Sequence, residues 1–177
     1  MNSEAKAKRR EKFRKLAEAY GGDLFRFAMW ICGDEALAKD LVQETYLRAW
    51  KALDKLQDSK AAKSWLITIL RREYARTFER KVPQFTDIDD TVVPEEREME
   101  PEERLEIGIL RRTILGLAPK YREPLLLQVV MGYSCEEIAT ELGISRSAVM
   151  TQLFRAREQL KTKLHKDGVT GNVHGLF

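Results

Sequence analysis

Residues 133–164 read YSCEEIATELGISRSAVMTQLFRAREQLKTKL, and this stretch decides the fold. Ser134 stands three residues before Glu137, the spacing at which a hydroxyl and a carboxylate each accept a backbone N–H at a helix start. Ile138, Ala139 and Leu142 follow at helical intervals. Gly143 suits the left-handed residue that ends such a helix and turns the chain. Ser145 can cap a second helix, which turns Val149, Leu153, Ala156 and Leu160 to its inner face. Two short helices joined by a tight glycine turn predict a helix-turn-helix. The second helix leaves Arg146, Ser147, Met150, Thr151, Gln152 and Arg155 outward. Guanidinium, amide and hydroxyl groups in that order can hydrogen-bond base edges and phosphates in a major groove. The plainer alternative is a helical hairpin with a solvated basic face. DNA binding is favoured because cap, glycine and outward chemistry agree.

Upstream of this stretch the chain reads as further helices. After Pro101 a helix is predicted from Glu102 to about Leu117, with Ile107, Leu110, Ile114 and Leu117 along an apolar face. Ala118-Pro119 turns the chain into a helix over 120–131, with Pro124 near its first turn, where a missing N–H costs little. Residues 83–101, PQFTDIDDTVVPEEREMEP, carry three prolines and many acids without periodicity, and read as a linker. Before the linker, SWLITILRREYARTFERK (64–81) is a helix with Trp65, Leu66, Ile69 and Leu70 inward. Its Arg71, Arg72, Arg76, Arg80 and Lys81 are interleaved with Tyr74 and Phe78. Such a mixture can hold phosphates and stack unpaired bases, and equally suits a basic amphipathic helix with aromatic core residues. KLQDSKAAK (55–63) is a polar loop. EALAKDLVQETYLRAWKALD (35–54) is a helix with Leu37, Leu41, Val42, Thr45, Tyr46, Ala49 and Leu53 inward. Its outer face, Asp40, Gln43, Glu44, Leu47, Arg48 and Lys51, suits a polar protein contact, although on pattern alone solvent exposure is the simpler account. A first helix runs from Phe13 to Ile31, bent or broken at Gly21-Gly22, with residues 1–12 frayed or extending it. No strand pattern, repeat or glycine-rich phosphate loop occurs. The expectation is an all-α chain of two small helical domains joined by an acidic linker: 13–82, linker 83–101, 102–165, and a tail 166–177.

Composition limits what such a chain can do. Its 177 residues suffice for one compact domain or two small ones, and 44% hydrophobic residues allow cores. The net charge of +3 hides an uneven distribution. Residues 1–15 hold seven Lys/Arg against two Glu, residues 87–106 ten Asp/Glu against two Arg, and residues 146–166 six Lys/Arg against Glu158. Basic ends around an acidic middle suggest a polyanion partner. Cys32 and Cys135 belong to no CxxC or Cys/His cluster and read as buried free thiols of a reducing compartment. His165 and His174 lack ligand-type neighbours, so no metal or cofactor is expected. An enzyme is disfavoured, because there is no Ser/His/Asp set, no metal cluster and no carboxylate pair in an apolar setting. No apolar run reaches membrane-spanning length and the N-terminus lacks a signal peptide's apolar core, so a cytoplasmic location is expected.

DLVQETYLRAWKAL (40–53), SWLITILRREYARTFERK (64–81), an acidic linker and then LAPKYREPLLLQVVMGYSCEEIATELGISRSAVMTQLFRAREQLKTKL (117–164) together resemble a bacterial RNA polymerase sigma factor of the extracytoplasmic-function (ECF) group. The resemblance covers about residues 13–165. The helix-turn-helix alone is weakly specific; the order of the motifs is highly specific. It implies a region 2 domain that binds core polymerase and melts the −10 element, and a region 4 domain that reads the −35 element. It assigns polymerase contact to Asp40, Gln43, Glu44, Arg48 and Lys51, overturning solvent exposure for that face. It assigns −10 strand binding to Lys60, Lys63, Arg71, Arg72, Tyr74 and Arg76, and −35 binding to Arg146, Ser147, Met150, Thr151, Gln152, Arg155 and Arg157. Family members often have Asn at the position of Arg72, Lys or Arg at that of Met150, and Arg at that of Gln152, so the resemblance does not carry a promoter sequence over to this chain. The family is normally silenced by an anti-sigma factor, often membrane-bound, and uses no small-molecule substrate. The competing expectation is a stand-alone helix-turn-helix regulator, which would dimerise on palindromic DNA and leave the two upstream helices without a purpose.

Overall fold

The computed structural model describes residues 3–80 and 100–166, so residues 81–99 of the expected linker and 167–177 of the expected tail lie outside it. Among the described residues all regular structure is helical: α1 (Ser3–Cys32), α2 (Glu35–Ala52), α3 (Ala62–Arg80), α4 (Pro101–Leu115), α5 (Pro119–Val129), α6 (Cys135–Leu142) and α7 (Arg146–Lys166), with short 3-10 turns at Leu53–Lys55 and Ser59–Ala61. The chain divides into two compact units, one of Met1–Ala28 and Ala36–Gln84, the other of Met29–Glu35 and Phe85–Phe177.

In the first unit α1 is one unbroken helix, where the sequence predicted a break at Gly21-Gly22. A Cβ on Gly21 would lie 2.9 Å from the Tyr46 hydroxyl, so this glycine serves close helix packing. The last residues of α1 belong to the second unit, where Gly33, at φ 70°, ends the helix and its N–H donates to the Met29 carbonyl at 2.9 Å. The core is a helical stripe from each element: Leu16, Leu24 and Phe27 of α1, Ala38, Leu41 and Ala49 of α2, and Leu66, Ile67 and Leu70 of α3. Thr45 is fully buried with its hydroxyl donating to the Leu41 carbonyl at 2.7 Å, so it adds no unsatisfied group.

In the second unit α7 packs against α4, α5 and α6. Its inner row, Val149, Leu153, Ala156, Leu160 and Leu164, is buried as the spacing predicted, with Leu164 one step further along. The capping box at the start of α6 is complete. Ser134 N–H donates to Glu137 Oε2 at 2.8 Å and Glu137 N–H to Ser134 Oγ at 3.2 Å. Gly143 takes φ 66° and ends α6, and Ser145 Oγ accepts from Ala148 N–H at 3.1 Å to start α7. Helix α5 begins one residue earlier than predicted, with Pro119 in its first turn. Pro124 therefore sits in the second turn and leaves the Lys120 carbonyl without its helical N–H. The last carbonyl of α4, on Leu115, accepts from the buried Arg122 guanidinium at 2.9 Å.

Ser134→Ala should lower the stability of the helix-turn-helix by about 1 kcal/mol, read as a lower urea midpoint with an unchanged slope. The N–H of Ser134, and then its hydroxyl, hold the Glu137 carboxyl below its ordinary value of 4.5. The Glu137 half of the cap is thus complete above that ordinary value and is lost as pH falls through the lower folded value. The stability gap between wild type and Glu137→Ala should narrow on acidification through that window.

Candidate functional site

The helices leave three charged surfaces, and each is fixed by what its helix buries. On α2 the row opposite the core carries Asp40, Gln43, Glu44, Leu47 and Arg48. These line an open groove of about 610 Å³ between α2 and α3, together with Leu37, Leu41, Glu73, Arg76 and Thr77. Lys51 is exposed in the last turn of α2, one turn beyond Leu47. At the groove floor Glu73 is buried, and its Oε1 lies 3.1 Å from Arg48 Nε and 2.5 Å from Arg76 Nη1. Arg48 Nε also meets Glu44 Oε1 at 3.0 Å. A buried carboxylate is costly unless paired, and here two guanidinium groups pair it. The arrangement holds Arg48 and Arg76 at the groove wall, beside the 52%-exposed Leu47.

The expected −10 residues separate. Lys60 is exposed on the 3-10 turn before α3, where its N–H donates to Asp58 Oδ1 at 2.8 Å. Lys63 reaches Asp23 of α1 at 3.1 Å. Arg72 is exposed and Arg71 half-buried. Two assignments need correction. Tyr74 is only 4% exposed, because it continues the buried i, i+4 row Leu66, Leu70, Tyr74, so its ring offers no face to a base. Arg76 points into the α2 groove toward Glu73, and lies about 140° around the helix from Arg71, so the two cannot grip one strand.

The third surface is on α7. Ser147, Thr151, Gln152 and Arg155 line an open cleft of about 350 Å³ with Ser145, Ala148 and the start of α5, Lys120 and Tyr121. A hydrogen bond from Arg155, and then the charge of Lys120, hold the Tyr121 hydroxyl below its ordinary value. Arg146 pairs with Glu136 of α6. Met150 is 50% exposed and Phe154, one turn on, is 65% exposed. Arg157, expected on the DNA face, is half-buried and donates to Gln128 Oε1 of α5, because it flanks the buried Leu153 and Leu160 row. Sequence reasoning missed Lys120, Tyr121 and Phe154; the i, i+4 spacing of Met150 and Phe154 was the available signal for the last.

Cys32 and Cys135 are free and half-buried. Burial pushes the Cys32 thiol up to about 11, and its S–H lies 3.3 Å from the Asp34 carbonyl, so at neutral pH it is a thiol and not a reactive thiolate. Among the described residues no group of His, Cys, Asp and Glu could hold a metal ion, and no helix is long and apolar enough to cross a membrane.

A charged groove on paired helices and a helix-turn-helix are thus carried by separate helical units. Two family models match: sigma-70 region 2 over residues 16–82 and sigma-70 region 4 over residues 107–160. The ECF RNA polymerase sigma factor SigL of Mycobacterium tuberculosis is 31% identical over 165 residues, covering 89% of this chain and 91% of that one. SigM of Bacillus subtilis, also an ECF sigma factor, is 29% identical, covering 88% and 96%. The chain belongs to the ECF RNA polymerase sigma factors. The structure of CnrH in complex with the cytosolic domain of CnrY is similar at a TM-score of 0.66 and 26% identity, covering 89% of this chain and 90% of CnrH. The fold is also that of the sigma factor RpoE, solved with the anti-sigma factor NepR from Bartonella quintana, at a TM-score of 0.71 and 24% identity, covering 88% and 98%.

Tyr74→Phe should leave promoter opening unchanged. Tyr74→Ala should cost about 3–5 kcal/mol of stability, as emptying an aromatic core position does, measured by urea denaturation.

Proposed function

We propose that this chain binds core RNA polymerase through the α2–α3 groove and directs it to promoters whose −35 element is read by α7 and whose −10 strand is held by the loop and outward face at the start of α3. The observation that carries this is the presence, in one chain, of the charged groove and the helix-turn-helix in the order of the two matched family models. Asp40, Gln43, Glu44 and Arg48, with Leu47 and Arg76, make the polymerase contact; Lys51 extends it. Lys60, Lys63, Arg71 and Arg72 hold the −10 strand. Arg146, Ser147, Met150, Thr151, Gln152 and Arg155 meet the −35 duplex, and Lys120 and Tyr121 steady the phosphate beside Arg155. We take the two functional domains as 13–82 and 102–165, with α4 beginning at Pro101.

Each module alone binds weakly. Once polymerase holds one, the other acts at a high effective concentration. Binding of the unpaired strand offsets base unstacking, on the order of a few kcal/mol per base. The protein is an initiation factor and not itself an enzyme, and acts in the cytoplasm. The sigma factor RpoE was solved with the anti-sigma factor NepR, and CnrH with the cytosolic domain of CnrY. A silencing partner of that kind fits this chain, and the exposed Leu47, Met150 and Phe154 are its apolar footholds.

Run-off transcription from genomic fragments with purified core enzyme tests the reading and delivers the promoters. Transcripts should start at a small set of sites only when the chain is added; unchanged initiation would reject it. Asp40→Lys, at an exposed position, should leave stability within about 0.5 kcal/mol and weaken core binding at least about tenfold in a fluorescence titration. Arg155→Ala should weaken binding to every promoter and reduce the salt slope by about one, whereas Gln152→Ala should change preference at one or two base pairs. Identical losses from both across a set of promoter variants would contradict these roles.

A further inference from the structure

The loop between α2 and α3 is built on α1. After Ala52 the chain makes the 3-10 turn Leu53–Lys55, passes Leu56 in extended form, and makes the second turn Ser59–Ala61 before α3 begins. Leu53, Leu56 and Ala62 are buried against Leu16 of α1, flanked by Phe13, Tyr20, Trp50 and Trp65. The tip, residues 57–61, is exposed. The apolar anchors therefore fix the base of the loop and leave the tip free to meet a ligand.

The polar anchors also come from α1, from the basic stretch expected either to fray or to extend the first helix, and which extends it. Arg9 Nη2 donates to the Trp50 carbonyl at 2.7 Å, in the last turn of α2, where carbonyls lack helical partners. Arg9 Nη1 lies 3.3 Å from Asp54 Oδ2, and its guanidinium carbon stands 4.9 Å from the centre of the Trp50 ring. Lys12 Nζ donates to the Leu56 carbonyl at 3.0 Å. Arg9, Lys12, Phe13, Leu16 and Tyr20 recur at three- and four-residue steps, so one stripe of one helix supplies both kinds of anchor. A surface cation that only sought phosphate would project into solvent. Both of these turn inward onto carbonyls.

We infer that Arg9 and Lys12 are positioning residues for −10 strand capture: they pre-order the loop whose exposed tip meets the unpaired strand. The inference rests on the strand-binding reading above. It differs from a plain electrostatic role, because it needs the geometry of Arg9 and not only its charge. Arg9→Lys keeps the charge but loses the planar fork that reaches carbonyl and carboxylate together. It also differs from general stabilisation, because the polymerase groove lies on another face of α2 and should keep its affinity.

The test is permanganate footprinting of −10 thymines by holoenzyme, on a promoter recovered from the run-off experiment, with core affinity measured in parallel. Arg9→Ala, Arg9→Lys and Lys12→Met should each lower thymine reactivity, Arg9→Ala by about tenfold, as expected when a pre-ordered loop must instead order itself on binding. Core affinity should stay within about twofold, and Arg10→Ala, which removes a neighbouring exposed cation, should open the promoter normally. Asp54→Ala leaves α1 intact and should give a smaller loss in the same direction, which keeps the test open if Arg9→Ala unfolds. Normal opening by Arg9→Lys and Asp54→Ala, or an equal loss from Arg10→Ala, would overturn the inference alone. Unreactive thymines with the wild-type holoenzyme would overturn the strand-binding reading itself.

Discussion

One stripe along α1 constrains the first unit more than any other feature. Phe13 meets the Tyr46 and Trp50 rings edge-on at 5.8 and 5.3 Å, and Leu16 closes the loop base below them. Edge-on aromatic packing with aliphatic burial is directional enough to set how α2 lies on α1. Once that stripe is buried, α2 has no freedom in which row it exposes. The row left outside is the one with Asp40, Gln43, Glu44, Leu47 and Arg48. Which row of α2 is open to a partner is thus a consequence of what Phe13, Leu16 and Tyr20 require to be covered.

The groove between α2 and α3 shows a different physical choice. Placing Glu73 beneath two arginines gains little stability over an apolar trio of similar volume. What it gains is position. Two long, flexible cations, each about half exposed, are held against one wall by a buried carboxylate. Charged groups fixed in this way discriminate among protein partners and steer encounter more than they add affinity. The α7 cleft follows the same logic with a neutral anchor, since the Tyr121 hydroxyl holds Arg155 while leaving its charge unneutralised. In the proposed −35 contact, Arg146, paired with Glu136, would exchange that carboxylate for a phosphate or a base.

Much of this was legible in the residues. The Ser134/Glu137 cap, Gly143 and the inner row of α7 are local signals, read within a few residues of each other, and each appears as expected. The outward row of α2 is a periodic signal and was equally readable, although only the family resemblance gave it a purpose. What the sequence did not reveal depends on neighbours distant along the chain. Tyr74 is an exception: its burial continues the inward Leu66, Leu70 row by one i, i+4 step, and only its place in a basic stretch drew it to the strand-binding set. Arg76 and Arg157 were counted with DNA-facing cations because charge alone does not say which carboxylate or amide waits across the interface. Gly21 looked like a helix breaker because the Tyr46 hydroxyl that requires it is 25 residues away in sequence. Arg9 and Lys12 were hidden for the same reason.

The central claim is a division of labour: one helical unit is built for the polymerase and an opened strand, the other for upstream duplex, and neither suffices alone. Sedimentation velocity of the purified chain, with and without core polymerase and with promoter duplex alone, tests it directly. The account predicts a monomer that joins core polymerase one-to-one and binds duplex weakly by itself. A dimer that binds duplex tightly unaided, and does not co-sediment with the polymerase, would contradict it.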